Sequence, residues 1–488
     1  MFDRRTFLTS ASTAVLTMPY FAKASIAGAG APLASEPDCE IPDFAGLLSG
    51  DAKLQTVRCG LRPGRKRDGA YLVRLESESL SGDRTLIHNY GHCGGGVTLG
   101  LGCASLADKY LATTLHLPKN AKITIVGAGI VGLSVAYVLK SRKYTDVTIK
   151  AHTKSSGSFE KPKTVSDIAG GQFEPAGVDD FDCWKEILDA ASATKRLKTV
   201  MAETLAVLTE YYGRDVDPFC VDFVGKGDAA NHVYVPVRNY TTKTVLPKDE
   251  GLDLASQAVH ENPVLREWIK SQSGGQLLPD NEPGGVRINF FYGTPPSDIT
   301  TYTKTMGVRD TILINTANLI KNLLAYLASS QFGPQVRIET HTVGPDELRK
   351  LPGTVIFNCA GLGGARVGGD HEQTSMTPVY GLLAEAPRNK TADRRYLYSG
   401  FGYMFPRTDG TIVGGVFEER ASASDREYLN SLLPTAKADR QRATTMVTAV
   451  GYYFTDKLSA LKPMDDKIGW MSGKIRNFAC ASEGKNCQ

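Results

Sequence analysis

The sequence predicts an α+β fold, and three observations support that prediction. The chain has 488 residues, enough for two or three domains around a large buried core. Its composition, 42% hydrophobic and 22% charged, is that of an ordinary globular protein. A strand, a glycine-rich turn, a helix and a second strand follow one another between Lys122 and Ala151, as in a βαβ unit. We therefore expect a globular chain with at least one such unit.

The βαβ unit carries a dinucleotide-binding fingerprint. Gly127, Gly129 and Gly132 form G-x-G-x-x-G between a strand predicted at Ile123–Val126 and a helix predicted at Val131–Leu139. The first glycine permits the tight turn, the second lets the backbone approach a pyrophosphate, and the third lets the helix pack on the strand. The positive end of the helix would point at the phosphates.

A second strand, predicted at Val147–Ile149, completes the unit but lacks one expected residue. The acidic side chain that usually binds the ribose after this strand is missing, and Ala151, His152 and Thr153 occupy the region. The fingerprint alone therefore does not decide between NAD and FAD.

Charge and hydropathy narrow the possible partners. The net charge of +4 gives no indication of a nucleic-acid partner, and no stretch approaches the roughly 18 apolar residues that a membrane span requires. The oligomeric state is left open by the sequence.

The N-terminus predicts export. Residues 1–24 contain Arg4-Arg5 followed by Phe7-Leu8, a mildly apolar stretch, and Ala22-Lys23-Ala24 as an A-x-A cleavage pattern. This resembles a twin-arginine signal, which implies a periplasmic or secreted protein exported with its cofactor already bound. The alternative is an ordinary first helix with a basic start.

Of the nine cysteines, Cys480 and Cys487 could pair with each other or with Cys39 after export.

Three stretches downstream of the βαβ unit resemble the D-amino acid oxidase family of FAD-dependent oxidoreductases. Thr164–Pro175, TVSDIAGGQFEP, is similar to the family's flavin-contacting loop. Val355–Val367, VIFNCAGLGGARV, resembles its N-C-T-G turn on the adenosine side of FAD. Tyr396–Glu419 resembles the segment with the active-site tyrosines and a strand that ends in Gly-Gly.

Two further family segments lie upstream of the βαβ unit, although in the family they lie near the C-terminus. Arg58–Glu76 resembles the T-G-x-R-P segment with its substrate-binding arginine, and Leu86–Tyr110 resembles the H-N-Y-G-H-G-G-Y-G signature and closing helix, here expected at Leu99–Leu115. The resemblance therefore implies a circular permutation, which proteins tolerate where the original termini lie close together at the surface.

The resemblance implies a Rossmann-like FAD-binding domain plus a mixed-sheet substrate domain, in circularly permuted order. Residues 116–122 would form a short surface connection, and residues 44–60 would lie beside the segment after Glu419. The region 176–305 matches the family poorly, although Asp182–Tyr212 has a helix-like pattern. The predicted segments are a signal peptide (1–24), the permuted segment with the arginine loop and flavin-contacting helix (44–115), the Rossmann unit (120–175), a substrate-domain region with an insertion (176–310), a return to the FAD-binding domain (311–370), the substrate domain with the tyrosines (371–455) and a C-terminal tail (456–488).

The resemblance implies catalytic roles for Arg62, Tyr403 and Tyr398. The guanidinium of Arg62 would bind a substrate carboxylate through two donors, the hydroxyl of Tyr403 would add a third contact, and Tyr398 would be a lid residue. The alternatives are a surface arginine and half-buried amphipathic aromatics. The neighbouring Arg65, Lys66 and Arg67 are expected to form a solvated face.

The HNYGHCGGG run allows two interpretations. His88, His92 and Cys93 could suggest a metal site, but no further ligand stands at a suitable spacing, so we expect none. A glycine-rich turn that enters a helix instead suits an anion at the helix N-terminus, which in the family is the reduced flavin. Cys93 replaces a family glycine; it is either a tolerated small side chain or a site of covalent flavin attachment or redox chemistry.

We expect a non-covalently bound FAD with its pyrophosphate at Gly127–Gly132. The residues expected to contact it are Gly127, Gly129, Ile130, Val131, Gly132, Gly170, Gly171, Val343, Ala360, Gly361, Gly94, Gly95, Gly96, Val97 and Thr98.

The activity implied is oxidation of an amino acid, with the D-enantiomer favoured, to a 2-oxo acid, ammonia and H2O2, with O2 as electron acceptor. A secondary-amine or glycine-type oxidase, or a flavin dehydrogenase, would share these motifs. In another class, the chain could be a non-catalytic flavin-binding module, because a fold does not fix a function.

Overall fold

The computed structural model describes residues 56–158, 161–188, 192–210, 234–243, 250–272, 286–290, 302–370, 375–386, 395–399, 402–407, 410–414, 417–419 and 469–470. The predicted signal peptide and the cysteines Cys39, Cys480 and Cys487 lie outside these residues. Among the described helices, none combines the length and apolar character that crossing a bilayer requires.

The described residues form seventeen strands, joined by backbone pairing into one continuous sheet, which we describe as two parts, sheet I and sheet II, that meet in a short hairpin. In chain order they are β1 Thr56–Arg67, β2 Ala70–Leu80, β3 Arg84–Tyr90, β4 Lys122–Ala128, β5 Asp146–Lys154, β6 Asp180–Cys183, β7 Tyr234–Lys243, β8 Val286–Phe290, β9 Tyr302–Ile314, β10 Arg337–Thr340, β11 Val355–Asn358, β12 Ser375–Ala386, β13 Arg395–Ser399, β14 Gly402–Arg407, β15 Gly410–Gly414, β16 Glu418–Glu419 and β17 Gly469–Trp470. The described α-helices are α1 Gly96–Thr113, α2 Ile130–Ser141, α3 Ala193–Thr209, α4 Glu250–Glu261, α5 Pro263–Gln272, α6 Thr316–Ala328 and α7 Gly364–Gly368.

Sheet I has the strand order β6-β2-β3-β11-β4-β5-β10, and the five strands from β3 to β10 in this order run parallel. The sequence of β11, VIFN, is buried along its whole length, as expected of a parallel strand covered on both faces. The strand predicted at Ile123–Val126 is β4, and the strand predicted at Val147–Ile149 lies within the longer β5. Helix α2, predicted at Val131–Leu139, connects β4 to β5.

Four helices, α1, α2, α3 and α6, pack in contacting pairs beside sheet I. Helix α1 packs against α2 and α3, and α2 packs against α6. Gly102 of α1 makes the contact with α3 possible, because a side chain there would collide with the backbone carbonyl of Val200 in α3. The connection from α1 to β4, residues 114–121, is short and mostly exposed, in line with the surface connection expected at 116–122.

Sheet II has the order β17-β1-β12-β15-β14-β13-β7-β9-β8, and β16 also pairs with β12. The long pairing of β1 with β12 is antiparallel and sets Arg62 opposite Val379. At its start β1 also pairs with β17, where Thr56 and Val57 lie beside Gly469 and Trp470. Most of the predicted contact between residues 44–60 and the segment after Glu419 lies outside the described residues.

A tight hairpin joins the two sheets. Strand β1 of sheet II turns into β2 of sheet I through Asp68 and Gly69, whose φ angles are 50° and 83°. Two consecutive positive φ values are characteristic of a two-residue hairpin turn that follows the strand twist. The strand that carries Arg62 is therefore tied directly to sheet I.

The helix predicted from the sequence pattern at Asp182–Tyr212 is only partly confirmed. Asp182 and Cys183 belong to β6, and helix α3 begins at Ala193, where the Ser192 side chain accepts a hydrogen bond from the Lys195 N–H. Pairing with β2 and a serine N-cap set the start of this helix later than the periodicity suggests.

Candidate active site

Arg62 lies on β1 with its guanidinium over the backbone of β12. Its Nη1 donates to the carbonyl oxygen of Tyr380 at 3.4 Å, and its Cζ lies 5.6 Å from the centre of the Phe417 ring. A Cβ atom added at Gly381 would be 2.6 Å from Arg62 Cζ and Nη1, so the guanidinium lies directly on this glycine. Phe417 and Gly381 carried no signal in the sequence that pointed to this role.

Tyr403 lies on β14 in a similar position over Gly414 of β15. The two residues are paired in the sheet, and the tyrosine ring covers the glycine. The ring of Tyr403 also stacks on that of Phe405, with centroids 4.2 Å apart and planes inclined by 7°. Tyr398 pairs with Tyr403 from the neighbouring strand β13.

Arg62 and Tyr403 lie on the same face of sheet II. Alternate residues of a strand share a face, and directly paired residues on neighbouring strands share it as well. Arg62 pairs with Val379 of β12, and Gly381 and Leu383 are alternate residues further along β12, so they lie on the same face as Val379. Leu383 pairs with Gly414 of β15. Gly414 pairs in turn with Tyr403. We call this face of sheet II the site face.

The segment Thr164–Gly171 covers the site face. A Cβ atom added at Gly60, on the same face, would lie 2.8 Å from the Ile168 Cδ1 atom. One added at Gly170 would lie 3.1 Å from Phe405 Cε2 and 3.5 Å from Tyr403 Cε2. The segment that resembles a flavin-contacting loop therefore adjoins the tyrosine.

The glycine turn between β4 and α2 has the geometry that its fingerprint requires. Gly127 has φ 109°, and a side chain there would strike the carbonyl of Cys359, while one at Gly132 would strike the carbonyl of Gly127. Gly129 is different, because the one described atom within 4 Å of its missing Cβ is Ser166 Oγ, at 3.3 Å. Ser166 Oγ also accepts from the Ile130 N–H at 3.0 Å, a contact that sequence reasoning missed.

The N-termini of α1 and α2 meet beside this turn. Both helices have a glycine as N-cap, Gly95 and Gly129, so neither carries a capping side chain of its own. A Cβ atom on Gly96 would lie 3.4 Å from Ile130 Cγ2, which brings the two positive helix ends together. Gly94 lies in the turn before α1, where its missing Cβ would be 3.4 Å from Arg62 Cδ.

The remaining predicted cofactor residues occupy different surroundings. Val97 is buried, and the hydroxyl of Thr98 accepts from the Glu174 N–H and donates to the Gln172 carbonyl, so it anchors that segment. Val131 is partly buried on α2. Gly171 has φ 92° and sits against the Ile314 carbonyl, where no side chain would fit.

The carboxyl ends of the parallel strands define a second part of the site. Val343 follows β10 and packs with Ala360, which follows β11. Gly361 has φ 57° and no described atom within 4 Å of its missing Cβ. At the end of β5, where the ribose-binding acid was missing, His152 Nδ1 lies 2.8 Å from Thr342 Oγ1. Ligands of open parallel sheets bind at this edge of the strands.

The two histidines of the HNYGHC segment are buried. His88 Nδ1 lies 3.4 Å from the Asn358 amide nitrogen and its Nε2 lies 3.6 Å from a Glu78 carboxylate oxygen. Burial, with the nearby charge of Arg74, lowers the pKa of His88 to about 3. Burial lowers the pKa of His92 to about 3, and its Nε2 has no hydrogen-bond partner among the described residues. Within the same residues, no three His, Cys, Asp or Glu side chains are grouped as metal ligands.

These features fit the dinucleotide cofactor that the sequence predicts. No described atom lies within 4 Å of the Cβ position of Gly361, and Ser166 Oγ is the one described atom within 4 Å of that of Gly129. The N-termini of α1 and α2, both with glycine N-caps, converge beside the turn. A buried imidazole nitrogen of His92 lacks a hydrogen-bond partner among the described residues. A pyrophosphate needs backbone N–H donors and positive helix ends, and the site supplies both.

The prediction that Arg65, Lys66 and Arg67 form a solvated face is wrong for Arg65. Its side chain is 0% exposed and forms a two-bond pair with Asp370, through Nε and Nη2 at 2.9 Å each, and a 2.5 Å contact with Asp182. Burial alone would lower the pKa of Arg65, but these two carboxylates raise it overall. Arg65 is three residues from Arg62 on one strand, so it points to the opposite face, into the junction of the sheets.

Lys66 and Arg67 remain partly exposed, and each has an acidic partner. Lys66 pairs with Glu419 at 2.8 Å, and Arg67 pairs with Asp182 at 2.5 Å. The three basic residues Arg65, Lys66 and Arg67 are therefore neighbours on β1 that each pair with acidic side chains, and they do not form one solvated surface.

Comparison with known sequences finds relatives over short segments. No family model matches the chain. It is 52% identical over 56 residues to the D-amino-acid oxidase of Rubrobacter xylanophilus, a match that covers 12% of this chain and 16% of that protein. Over 72 residues it is 40% identical to the D-amino-acid oxidase of Dictyostelium discoideum, covering 14% and 19% respectively. The chain thus has D-amino-acid oxidase homologues at moderate identity, but it spans less than a fifth of their length.

Solved structures give a more distant likeness. A fructosyl amine:oxygen oxidoreductase (Amadoriase I) from Aspergillus fumigatus matches with a TM-score of 0.32 and 14% identity, over 63% of this chain and 64% of that one. The fructosamine oxidase Amadoriase II of the same organism matches with a TM-score of 0.35 and 14% identity, over 68% and 72%. At such scores the likeness carries no argument about fold or activity.

Proposed function

We propose that this protein is an FAD-dependent oxidase that converts an amino acid, with the D-enantiomer favoured, to a 2-oxo acid, ammonia and H2O2. The observation that carries the proposal is the common location of Arg62 and Tyr403 on the site face, beneath the segment Thr164–Gly171, which contacts the N-terminus of α2 through Ser166. The short regions of identity to D-amino-acid oxidases support the same reaction class.

The substrate would be held by its carboxylate. A guanidinium offers two parallel N–H donors that match a carboxylate, and Arg62 presents this group at the site face. The hydroxyl of Tyr403 would donate a further hydrogen bond to the same carboxylate. Held in this way, the α-carbon of the substrate is fixed in direction, which lowers the entropic part of the barrier.

FAD would be held by the glycine turn at Gly127–Gly132 and by the N-terminal turn of α1 at Gly94–Thr98. When bound, the flavin supplies the acceptor for a hydride from the α-carbon, and O2 takes up the electrons. The backbone N–H groups of α1 favour negative charge in the space they face. Ser166, which accepts from the Ile130 N–H, would orient the N-terminus of α2 toward the pyrophosphate.

We also propose that the chain is a circularly permuted member of this class, exported by the twin-arginine route to the periplasm or medium. Permutation is supported by the exposed connection at 114–121 and by the parallel pairing of β3 with β11, since β3 precedes the βαβ unit in sequence. Export is supported by Arg4-Arg5 and the cleavage pattern that follows.

To test the proposal, flavin absorbance, anaerobic reduction of the flavin and peroxide release are measured on the purified protein. An amino acid oxidase should be yellow, should bleach without O2 on addition of a D-amino acid such as D-alanine, and should form peroxide in air. Bleaching without peroxide would indicate a dehydrogenase. Reduction by N-methylglycine but no primary amino acid would indicate a secondary-amine oxidase. A yellow protein that bleaches with none of them would overturn the proposal.

A further inference from the structure

Gly381 lies under the functional arginine, and its missing side chain is what makes room for it. The three atoms nearest to a Cβ added at this position are Arg62 Cζ at 2.6 Å, Nη1 at 2.6 Å and Nη2 at 2.7 Å. Real Cβ atoms essentially never approach other atoms within 3.0 Å. Any other residue at position 381 would therefore exclude the guanidinium from its present place.

The guanidinium is also positioned from two further directions. Nη1 donates to the Tyr380 carbonyl, the residue before Gly381, and the Phe417 ring lies 5.6 Å from Cζ. The glycine provides a bare stretch of strand on which the planar group rests, the carbonyl restrains one end of it, and the ring restricts the space beside it. Together these contacts set where the donors of Arg62 are available.

We infer that Gly381 is a positioning residue for substrate selection, which keeps the Arg62 guanidinium where it can bind a carboxylate with two donors. This inference rests on the proposed function. Because the three nearest atoms all belong to the far end of a long, flexible side chain, we expect Arg62 to swing aside with little effect on the fold. A methyl group at position 381 should thus impair carboxylate recognition and leave the protein folded.

Two other glycines provide contrast. At Gly414 the clash involves the Tyr403 ring and the buried Leu383, so a side chain there disturbs packing as well as the site. At Gly251, near the start of α4, an added Cβ would make ordinary contacts of 3.6 Å or more with Glu174 and Pro175. Gly251→Ala is therefore the matched control for the same substitution.

The experiment measures binding of propionate, a carboxylate without an amino group, to the flavin-loaded protein by calorimetry. Wild type and Gly251→Ala should bind it, whereas Gly381→Ala should bind about tenfold or more weakly, as expected for the loss of a charge-assisted hydrogen bond. In an Arg62→Ala background, Gly381→Ala should have no further effect, because its target is gone. Steady-state oxidation of amino acids should change mainly in KM.

Thermal unfolding supplies a readout that does not depend on activity. Gly381→Ala should unfold close to the wild-type temperature, and Arg62→Ala/Gly381→Ala should be at least as stable as Arg62→Ala, since the methyl occupies the vacated space. If Gly381→Ala itself fails to fold, the double variant still tests the inference, because its failure would mean that position 381 clashes with something other than Arg62.

Each outcome separates the inference from the proposed function. Wild-type binding of propionate with equal binding by Gly381→Ala would overturn the inference alone. A further loss of binding in the Arg62→Ala background would also overturn it. A wild type that neither binds propionate nor oxidises amino acids would overturn the proposed function, and the inference with it.

Discussion

The ring of Tyr403 lies directly over the backbone of Gly414, its partner on the neighbouring strand. A Cβ atom on this glycine would overlap ring atoms Cε2 and Cζ and would come within 2.5 Å of Leu383 Cδ2. Gly414 ends β15 and is the first residue of the Gly-Gly pair that the sequence marks. The glycine at position 414 therefore has a packing reason in addition to its resemblance to a family segment.

Gly414→Ala should lower both stability and turnover. Overpacking of this kind costs about 1–3 kcal/mol of unfolding free energy, because Leu383 is buried and the tyrosine ring is held between Gly414 and Phe405. Urea unfolding against the Gly251→Ala control measures the first effect, and peroxide release measures the second. A variant as stable and active as the control would show that Tyr403 moves aside freely.

Arg62→Ala should reduce turnover of amino acids by at least about a hundredfold, since two charge-assisted hydrogen bonds of about 1.5–3 kcal/mol each are lost. Arg62→Lys should also fail, because an ammonium group does not reproduce the planar pair of donors. Arg337→Ala removes an exposed arginine of β10 and serves as the control. Amines without a carboxylate should be poor substrates of all three variants and of the wild type. Full activity of Arg62→Ala on the best amino acid would remove this residue from the site.

Asp370→Asn should destabilise the junction between the two sheets. Asp370 accepts two hydrogen bonds from the buried Arg65 and one from the Tyr90 hydroxyl, and its side chain is 6% exposed. Asp370→Asn leaves Asp182 as the one carboxylate paired with the buried Arg65 among the described residues, so we expect a cost of about 3 kcal/mol, the lower end for breaking a buried pair. Asp146→Asn is the matched control, because its pair with Arg337 is exposed and should contribute about 1 kcal/mol at most. Equal urea midpoints for the two variants would contradict the prediction.

The buried histidines should make the protein less stable as the pH falls. The pKa of His88 and that of His92 are each about 3 in the folded protein, against an ordinary value of 6.5. Between these values the unfolded chain binds protons that the folded protein does not, so stability falls as the pH drops below about 6.5. Each histidine contributes a slope of about 1.4 kcal/mol per pH unit.

Urea unfolding from pH 6 to pH 4 tests this prediction. His92→Asn should reduce the slope of unfolding free energy against pH by about 1.4 kcal/mol per unit, and the exposed His116 provides the matched control, His116→Asn. An unchanged slope in His92→Asn would mean that His92 takes up its proton at similar pH in the folded and unfolded states.

The flavin should be released by acid precipitation, because we expect it to be bound without a covalent link. Cys93 has φ 46°, a left-handed conformation that suits the glycine of the related motif. Its Sγ lies beside Gly177, on the side of Phe417. Cys93→Gly should retain flavin and change the unfolding free energy by less than about 1 kcal/mol, since relief of the backbone and loss of a small buried side chain oppose each other. Flavin that stays in the wild-type pellet but leaves that of Cys93→Gly would identify a covalent bond at this cysteine.

Local sequence patterns predicted the elements of the βαβ unit well, because periodicity and glycine spacing are properties of the chain itself. The strand around Ile125, the helix after Gly129 and the surface connection after α1 all lie close to their predicted positions. Asp182 was misassigned to a helix because its pairing partner on β2 lies far away in sequence.

The site was predicted less completely, for a related reason. Arg62 could be selected by its L-R-P context, but the burial of Arg65 depends on Asp182 and Asp370, which only the fold brings to it. The role of Gly381 depends on the register between β1 and β12, which no local pattern encodes.

Strand β1 serves both sheets at once, with Arg62 turned to the site face and Arg65 turned to the buried carboxylates behind it. Their separation by three residues fixes this arrangement, because adding or removing one residue between them would send one guanidinium to the wrong side. Natural length variation should accordingly be absent between positions 60 and 67. Insertions and deletions should instead be found in the exposed connection at 114–121, which is not a strand whose side chains must alternate between two faces.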